Sequence, residues 1–154
     1  SKARPVPVGA HPPCVGLTTA LALVDIADPA NPIILGTCKT YSYVNDVFVK
    51  NGIAYLADGY SGLTTCDVSD PANPQPLGNY VTPFPAEHIY VSGNHAFVSA
   101  GGLYVFDVTD PTQPTLVAKH ETPGGAEHPV VADGHVFFTE GDGGLKAFEF
   151  IECP

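Results

Sequence analysis

The chain has 154 residues, of which 44% are hydrophobic, and 16 acidic against 6 basic residues give a formal net charge of −10. This composition predicts a folded domain with a hydrophobic core. Its few scattered Lys and Arg residues argue against nucleic-acid and anionic-membrane partners. There is no run of 18 apolar residues, so we expect no membrane insertion.

The first 20 residues form a segment of their own, because they lack the pattern that dominates the rest of the chain. We expect residues 1–20 to be irregular or to contribute part of a first blade. The chain begins at Ser1 and contains no Met. Two origins stay open: a mature product whose leader was removed, and a processed piece of a longer precursor.

From Leu21 onward, an apolar run that ends in Asp-Pro recurs at intervals of about 40 to 42 residues. The copies are Leu21–Pro32, Leu63–Pro74 and Leu103–Pro114, with a degenerate fourth, Leu145–Pro154. A fixed period of this length with short β runs is typical of propeller blades. We therefore predict an all-β fold, a β-propeller of about four four-stranded blades of about 41 residues. The predicted units are 21–62, 63–102 and 103–144, with a final strand at 145–154.

The second unit shows the predicted blade most clearly. Its four expected strands are Asp46–Lys50, Ile53–Ala57, Leu63–Val68 and Gln75–Val81. Asn51-Gly52 joins the first two, and this dipeptide is a strong signal for a tight β-hairpin. The Asp-x-x-Asp-Pro element after the third strand could suggest calcium, but it recurs in every unit without a further carboxylate, so we expect a structural turn.

The repeats resemble the LVIVD-repeat family of β-propellers. The similarity lies in Leu21–Pro29, Gly62–Pro71 and Gly102–Pro111, together with the hairpin Asn51–Asp58. It covers roughly residues 20 to 150. It implies a propeller fold and a secreted or surface-attached protein, and it says little about the ligand.

The last unit stops after its third strand. We expect the missing outer strand to be supplied by the N-terminal segment of the same chain or of a neighbour. Three arrangements stay open: a four-bladed ring, an eight-bladed ring completed by a second chain, and a head-to-tail filament. We expect self-association rather than an isolated monomer.

Four cysteines, none in a CxxC pair, fit an exported protein with disulfides, and buried free thiols in the cytosol are the alternative. They are Cys14, Cys38, Cys66 and Cys153. Three pairings are possible, and Cys14 with Cys153 is a hypothesis that applies if the N-terminal segment supplies the missing outer strand.

Asp46, His88 and His128 occupy the same position at the start of the first strand in successive units. That strand is usually innermost in a propeller, so the three side chains should approach one axis. Glu87 and Glu127 precede the two histidines. Such a ring predicts a divalent-metal site or acid/base groups, and the alternative is that these residues only bind channel water and backbone.

Tyr60 in a turn and Phe84 in a connection are the exposed candidates for a carbohydrate-binding surface. We expect the remaining aromatic residues considered for it, Tyr41, Tyr43 and Tyr90, to pack between blades. No nucleophile motif and no phosphate-binding loop occurs. The prediction is thus an exported binding or self-assembling module that is not an enzyme. A metal site and a carbohydrate site are the alternatives.

Overall fold

The computed structural model describes residues 14–17 and 20–149, and these residues form four antiparallel sheets in chain order. Sheet 1 contains β1 (Cys14–Leu17), β2 (Ala20–Asp25) and β3 (Ile33–Lys39). Sheet 2 contains β4 (Asp46–Lys50), β5 (Ile53–Ala57), β6 (Leu63–Asp67) and β7 (Gln75–Tyr80). Sheet 3 contains β8 (His88–Ser92), β9 (His95–Ser99), β10 (Gly102–Asp107) and β11 (Thr115–Glu121). Sheet 4 contains β12 (Glu127–Ala132), β13 (His135–Glu140) and β14 (Gly144–Glu149), with a short 3-10 turn at Gly141–Gly143 before β14.

The four strands predicted in the second unit are confirmed, two of them ending one residue earlier than expected. The hairpin between β4 and β5 has positive φ angles at Asn51 (50°) and Gly52 (77°), as a tight two-residue turn requires. The sheets span 14–39, 46–80, 88–121 and 127–149, so each predicted unit from 21 onward contains the end of one sheet and the start of the next.

The sheets follow one another as an arc. Sheet 1 touches sheet 2 through β1–β4 and β3–β7, sheet 2 touches sheet 3 through β4–β8 and β5–β8, and sheet 3 touches sheet 4 through β12 against β8 and β9. Among the described residues, no comparable strand contact joins sheet 4 back to sheet 1. The fold is therefore all-β and propeller-like, with four sheets stacked side by side.

The core lies between the sheets, in three apolar clusters. Leu21 and Leu23 of sheet 1 pack against Leu56 of sheet 2 in the first cluster. Because both faces of sheets 2 and 3 are covered, their strands are apolar on both sides, as the sequence indicates. Within the described residues, no helix is long and apolar enough to cross a membrane.

A disulfide between Cys38 on β3 and Cys66 on β6 fastens sheet 1 to sheet 2. Both cysteines are fully buried. The hypothesis of a Cys14–Cys153 pair falls outside the side chains that the structure describes.

The same contact recurs between the later sheets with other side chains. Tyr80 of sheet 2 meets Phe106 of sheet 3 at the position that Cys38 and Cys66 occupy, with ring centroids 4.9 Å apart. His120 of sheet 3 meets Phe148 of sheet 4 at 4.6 Å. One repeat position therefore holds a covalent link in the first interface and an aromatic pair in the next two.

Candidate functional site

Three connections between successive sheets lie at one end of the arc, which we call the variable end. Each connection starts at a threonine, Thr40, Thr82 or Thr122, and leads to the next inner strand. Between these points the residues differ: Tyr-Ser-Tyr at 41–43, Pro-Phe-Pro at 83–85 and Pro-Gly-Gly at 123–125. One structural position thus carries three different surfaces.

Asp46, His88 and His128 come together beneath these connections, as their repeat positions predicted. The Asp46 Oδ2 atom lies 3.8 Å from His88 Nδ1. The rings of His88 and His128 stack with centroids 3.8 Å apart and planes 28° from parallel. Asp46 Oδ2 also accepts a hydrogen bond from the Ile89 amide at 3.0 Å, so the carboxylate joins sheets 2 and 3.

This geometry gives the metal hypothesis little support. No group of three His, Cys, Asp or Glu side chains in the described part of the chain is arranged to hold a metal ion. The lone pairs of an imidazole lie in its ring plane, so two stacked rings aim them side by side and not at one shared point. Glu87 and Glu127 are both exposed. The metal site stays a prediction.

The aromatic candidates lie on the same end of the arc. Tyr60 is 68% exposed and Phe84 is 57% exposed. Tyr41 and Tyr43 are also exposed, at 65% and 40%, so the expectation that they pack between blades was wrong. They lie in a connection outside the sheets, where the next sheet does not cover them. Tyr90 does pack between sheets, against Phe48 at 5.1 Å.

Two glycines support these rings from below. Gly59 has φ +49°, and a Cβ there would lie 3.0 Å from the Tyr43 ring. At the equivalent position, Gly101 has φ +69°, and a Cβ would lie 2.8 Å from the Phe84 ring. The absence of a side chain therefore lets each ring lie against the turn of its neighbouring hairpin. Tyr60 completes the group by meeting Tyr43 edge to face at 6.0 Å.

A buried carboxylate fixes the first connection. Asp58 is fully buried and accepts hydrogen bonds from the amides of Tyr41 (3.0 Å) and Ser42 (3.1 Å) and from the Thr64 hydroxyl (3.0 Å). In the sequence, Asp58 is notable only as the last residue of the hairpin Asn51–Asp58. The signal that would have found it is a single carboxylate placed directly after a buried strand, where it needs partners.

Polar side chains border the aromatic group. Tyr43, Asn45, Glu87 and His88 line an open pocket of about 330 Å³. Asn45 is held in place because its Nδ2 donates to the Ala86 carbonyl at 2.8 Å. A second hydrogen bond, from the Ala86 amide to the Gly59 carbonyl at 2.8 Å, ties the second connection to the Tyr60 turn. Hydrogen bonds to the backbone therefore hold the walls of the pocket in place.

The third connection, with Pro-Gly-Gly at 123–125, lines an acidic pocket of about 560 Å³. Gly124 takes the place of Phe84, and Gly141 takes the place of Gly101. Glu140 and Asp142 contribute carboxylates to the lining. Glu140 is largely buried, and its Oε2 lies 3.5 Å from Lys146 Nζ.

The opposite end, which we call the constant end, carries the Asp-x-x-Asp-Pro turns. Asp67 Oδ1 accepts from the amide (2.9 Å) and the hydroxyl (2.6 Å) of Ser69, and these bonds lower the pKa of Asp67. Backbone and side-chain bonds from Thr109 lower the pKa of Asp107 in the same way. Nearby amide and hydroxyl groups engage both carboxylates, as expected of a structural turn.

These turns also seat on the preceding sheet. A Cβ on Gly78 of β7 would lie 2.6 Å from the Thr112 carbonyl oxygen and 2.7 Å from that of Pro111. Gly36 of β3 faces Pro71 in the same manner, at 2.5 Å. The Thr65 hydroxyl lies 2.6 Å from the Pro111 carbonyl and accepts from the Gly78 amide at 2.9 Å.

Comparison with known proteins supports the repeat interpretation. The family profile described as LVIVD repeat matches residues 14–40, 42–82 and 85–122. No curated protein matches. The computationally designed Ika4 protein is similar in structure, with a TM-score of 0.70 at 15% identity, covering 89% of this chain and 84% of Ika4. The designed Ika8 protein gives a TM-score of 0.69 at 12% identity, covering 88% of this chain and 42% of Ika8.

Proposed function

The chain belongs to the LVIVD-repeat family, and on that premise we propose that it is an exported, propeller-like binding module whose variable end holds a neutral carbohydrate. Function in repeat scaffolds is commonly carried by loops that vary on a rigid frame. The three connections of the variable end fit that description, because they differ in sequence while the strands around them repeat.

One observation carries the proposal: the exposed aromatic group of Tyr41, Tyr43, Tyr60 and Phe84 beside a polar pocket. Aromatic faces pack on the apolar faces of sugar rings, and tyrosine and phenylalanine lose little side-chain entropy on binding. The glycine seats under Tyr43 and Phe84 hold the rings in position before any ligand arrives, which reduces the ordering cost.

The pocket supplies groups suited to hydroxyls. The Glu87 carboxylate and the Asn45 side-chain oxygen can accept hydrogen bonds, and the His88 imidazole can donate or accept. The net charge of −10 disfavours an anionic polysaccharide. A neutral glycan is the ligand class that satisfies both the aromatic and the polar surface.

Export is supported by the disulfide between Cys38 and Cys66. Disulfides persist in oxidising compartments and are rare in the cytosol. This bond is buried between two sheets, so it serves the fold rather than a redox reaction.

The test is calorimetric titration of the intact chain with soluble cellohexaose, mannohexaose and chitohexaose, and with an alginate oligomer as anionic control. We expect at least one neutral oligosaccharide to bind and the alginate oligomer to be inert. Tyr60→Ala and Phe84→Ala should each weaken binding about 2- to 10-fold, in line with the worth of one aromatic contact. Ile33→Ala is the control, because Ile33 is 62% exposed on sheet 1, outside the aromatic group.

Absence of binding to all three neutral oligosaccharides overturns the carbohydrate proposal. Equal weakening by Ile33→Ala also overturns it, since the effect would then not depend on the aromatic group.

A further inference from the structure

Sheet 4 presents an apolar face that lacks the cover its predecessors have. We call the side of a sheet that packs on the next sheet in the chain its forward face. Leu21, Leu63 and Leu103 stand at one repeat position on the forward faces of sheets 1 to 3 and are 0%, 0% and 3% exposed. Leu145 holds that position in sheet 4 and is 69% exposed.

The difference extends over the sheet. Ala57 and Ser99 are fully buried on the forward faces of sheets 2 and 3, whereas their equivalent Thr139 is exposed. Val105 is buried on sheet 3, and its equivalent Ala147 is exposed. The forward face of sheet 4 therefore carries apolar residues like the buried forward faces of sheets 2 and 3, but these residues are exposed to solvent.

Sheet 1 shows the matching deficit on its other side, the backward face. Val68 and Val108 pack against the preceding sheet and are 3% and 5% exposed. Ile26 is their equivalent just after β2, and it is 50% exposed. Ala22 on β2 is already buried, so the open part of this face is the end that carries Ile26.

The two open faces are complementary, because every interface between the described sheets joins a forward face to a backward face. This interface is formed three times, between sheets 1 and 2, 2 and 3, and 3 and 4. A fourth copy needs one more backward face. We propose that it comes from a second copy of this chain: sheet 4 of each copy packs on sheet 1 of the other.

Two copies use all four open faces and form a closed pair of eight sheets. An open head-to-tail filament would leave one apolar face exposed at each of its two ends, whereas a closed pair leaves none exposed. The apolar surface removed from water at each junction provides the driving force.

The test measures mass in solution, by sedimentation velocity and by native mass spectrometry of the full chain. We expect a species of twice the 16.1 kDa of one chain. Leu145→Glu and Ile26→Glu should each convert the pair to single chains, because each places a carboxylate in both junctions. Val117→Glu is the matched control, since Val117 is 53% exposed on the outer strand of sheet 3 and belongs to neither junction.

Mixing the two variants distinguishes this arrangement from other dimers. In a mixed pair, one junction contains both carboxylates and the other is unchanged on both sides. The mixture should therefore regain at least part of the pair, although each variant alone remains single. Circular dichroism of each variant checks that the sheets are intact.

A single-chain mass for the unaltered protein overturns the proposal, and a continuous series of larger species overturns the closed pair. Dissociation by Val117→Glu, or no recovery in the mixture, would overturn the pairing of sheet 4 with sheet 1. None of these outcomes depends on carbohydrate binding, so the two proposals stand or fall separately.

Discussion

At the constant end of the arc, the turns after β2 and β6 both read Asp-Pro-Ala-Asn-Pro, and the turn after β10 reads Asp-Pro-Thr-Gln-Pro. At the variable end, all three connections share only their first threonine, and the second and third also share the proline after it and an Ala-Glu-His triplet at the next strand. The ends differ because the turns pack on a neighbouring sheet, whereas the middle of each connection faces solvent. What a segment touches decides how freely its sequence can differ between repeats.

The constant end should therefore control stability and the variable end should control binding. Gly78 and Thr65 of sheet 2 both contact the turn at Pro111. Tyr60 and Phe84 are more than half exposed at the variable end. Substitutions at the two ends separate these roles.

The largest effect is expected from Gly78→Val. The new side chain would collide with the carbonyl oxygens of Pro111 and Thr112, and overpacking of this kind costs about 1–3 kcal/mol. Urea unfolding measures the loss. Ala118→Val is the matched control, because Ala118 occupies the equivalent position on sheet 3 and is exposed, so its midpoint should stay within experimental error. If both variants lose the same amount of stability, the collision with the turn at Pro111 is not the cause.

A smaller effect is expected from Thr65→Val, which keeps the shape of the side chain and removes its hydroxyl. The Pro111 carbonyl and the Gly78 amide would lose a buried partner, at a cost of about 1–2 kcal/mol. Thr115→Val serves as the control, since Thr115 is exposed on the outer strand β11 of sheet 3. If Thr65→Val unfolds at the urea concentration of the parent chain, the hydroxyl does not hold the turn.

The smallest effect concerns pH. Asp67 and Asp107 have lowered pKa values in the fold, so they contribute stability above the unfolded value near 3.8, and this contribution is lost as pH falls through the folded pKa. Urea midpoints of the parent chain should fall between pH 5 and pH 3. The combined Asp67→Asn and Asp107→Asn variant should show a shallower fall. An unchanged slope would show that these carboxylates do not contribute.

Much of the fold could be predicted from the sequence because its signals are local and repeated. The Asn51-Gly52 turn fixes one hairpin, and the Asp-Pro turns mark the ends of β2, β6 and β10. The repeat positions also predicted that Asp46, His88 and His128 lie close together, since equivalent positions on neighbouring inner strands must be adjacent. It did not predict that the two rings would stack, because ring orientation depends on packing in three dimensions.

The contacts that the sequence could not predict are those between sheets. Cys38 and Cys66 are 28 residues apart and belong to different repeats, so only the stacking of sheets 1 and 2 selects this pair among the possible ones. Asp58 is a similar case, because its partners at Tyr41 and Ser42 precede it by a whole hairpin. Long-range partners of this kind are determined by how the sheets stack on one another and cannot be read from the repeated sequence.

The seating of each Asp-Pro turn on the glycine of the preceding outer strand has a consequence for how such a chain can lengthen. A segment of about 42 residues that runs from one outer strand to the next carries both halves of this joint, a turn that docks on the sheet before it and a glycine that receives the turn after it. Duplication of that segment, such as the one from Gly36 to Gly78, inserts a sheet together with matching joints on both sides. Growth by whole repeats then requires no new contact, whereas an insertion of any other length would separate a turn from its glycine.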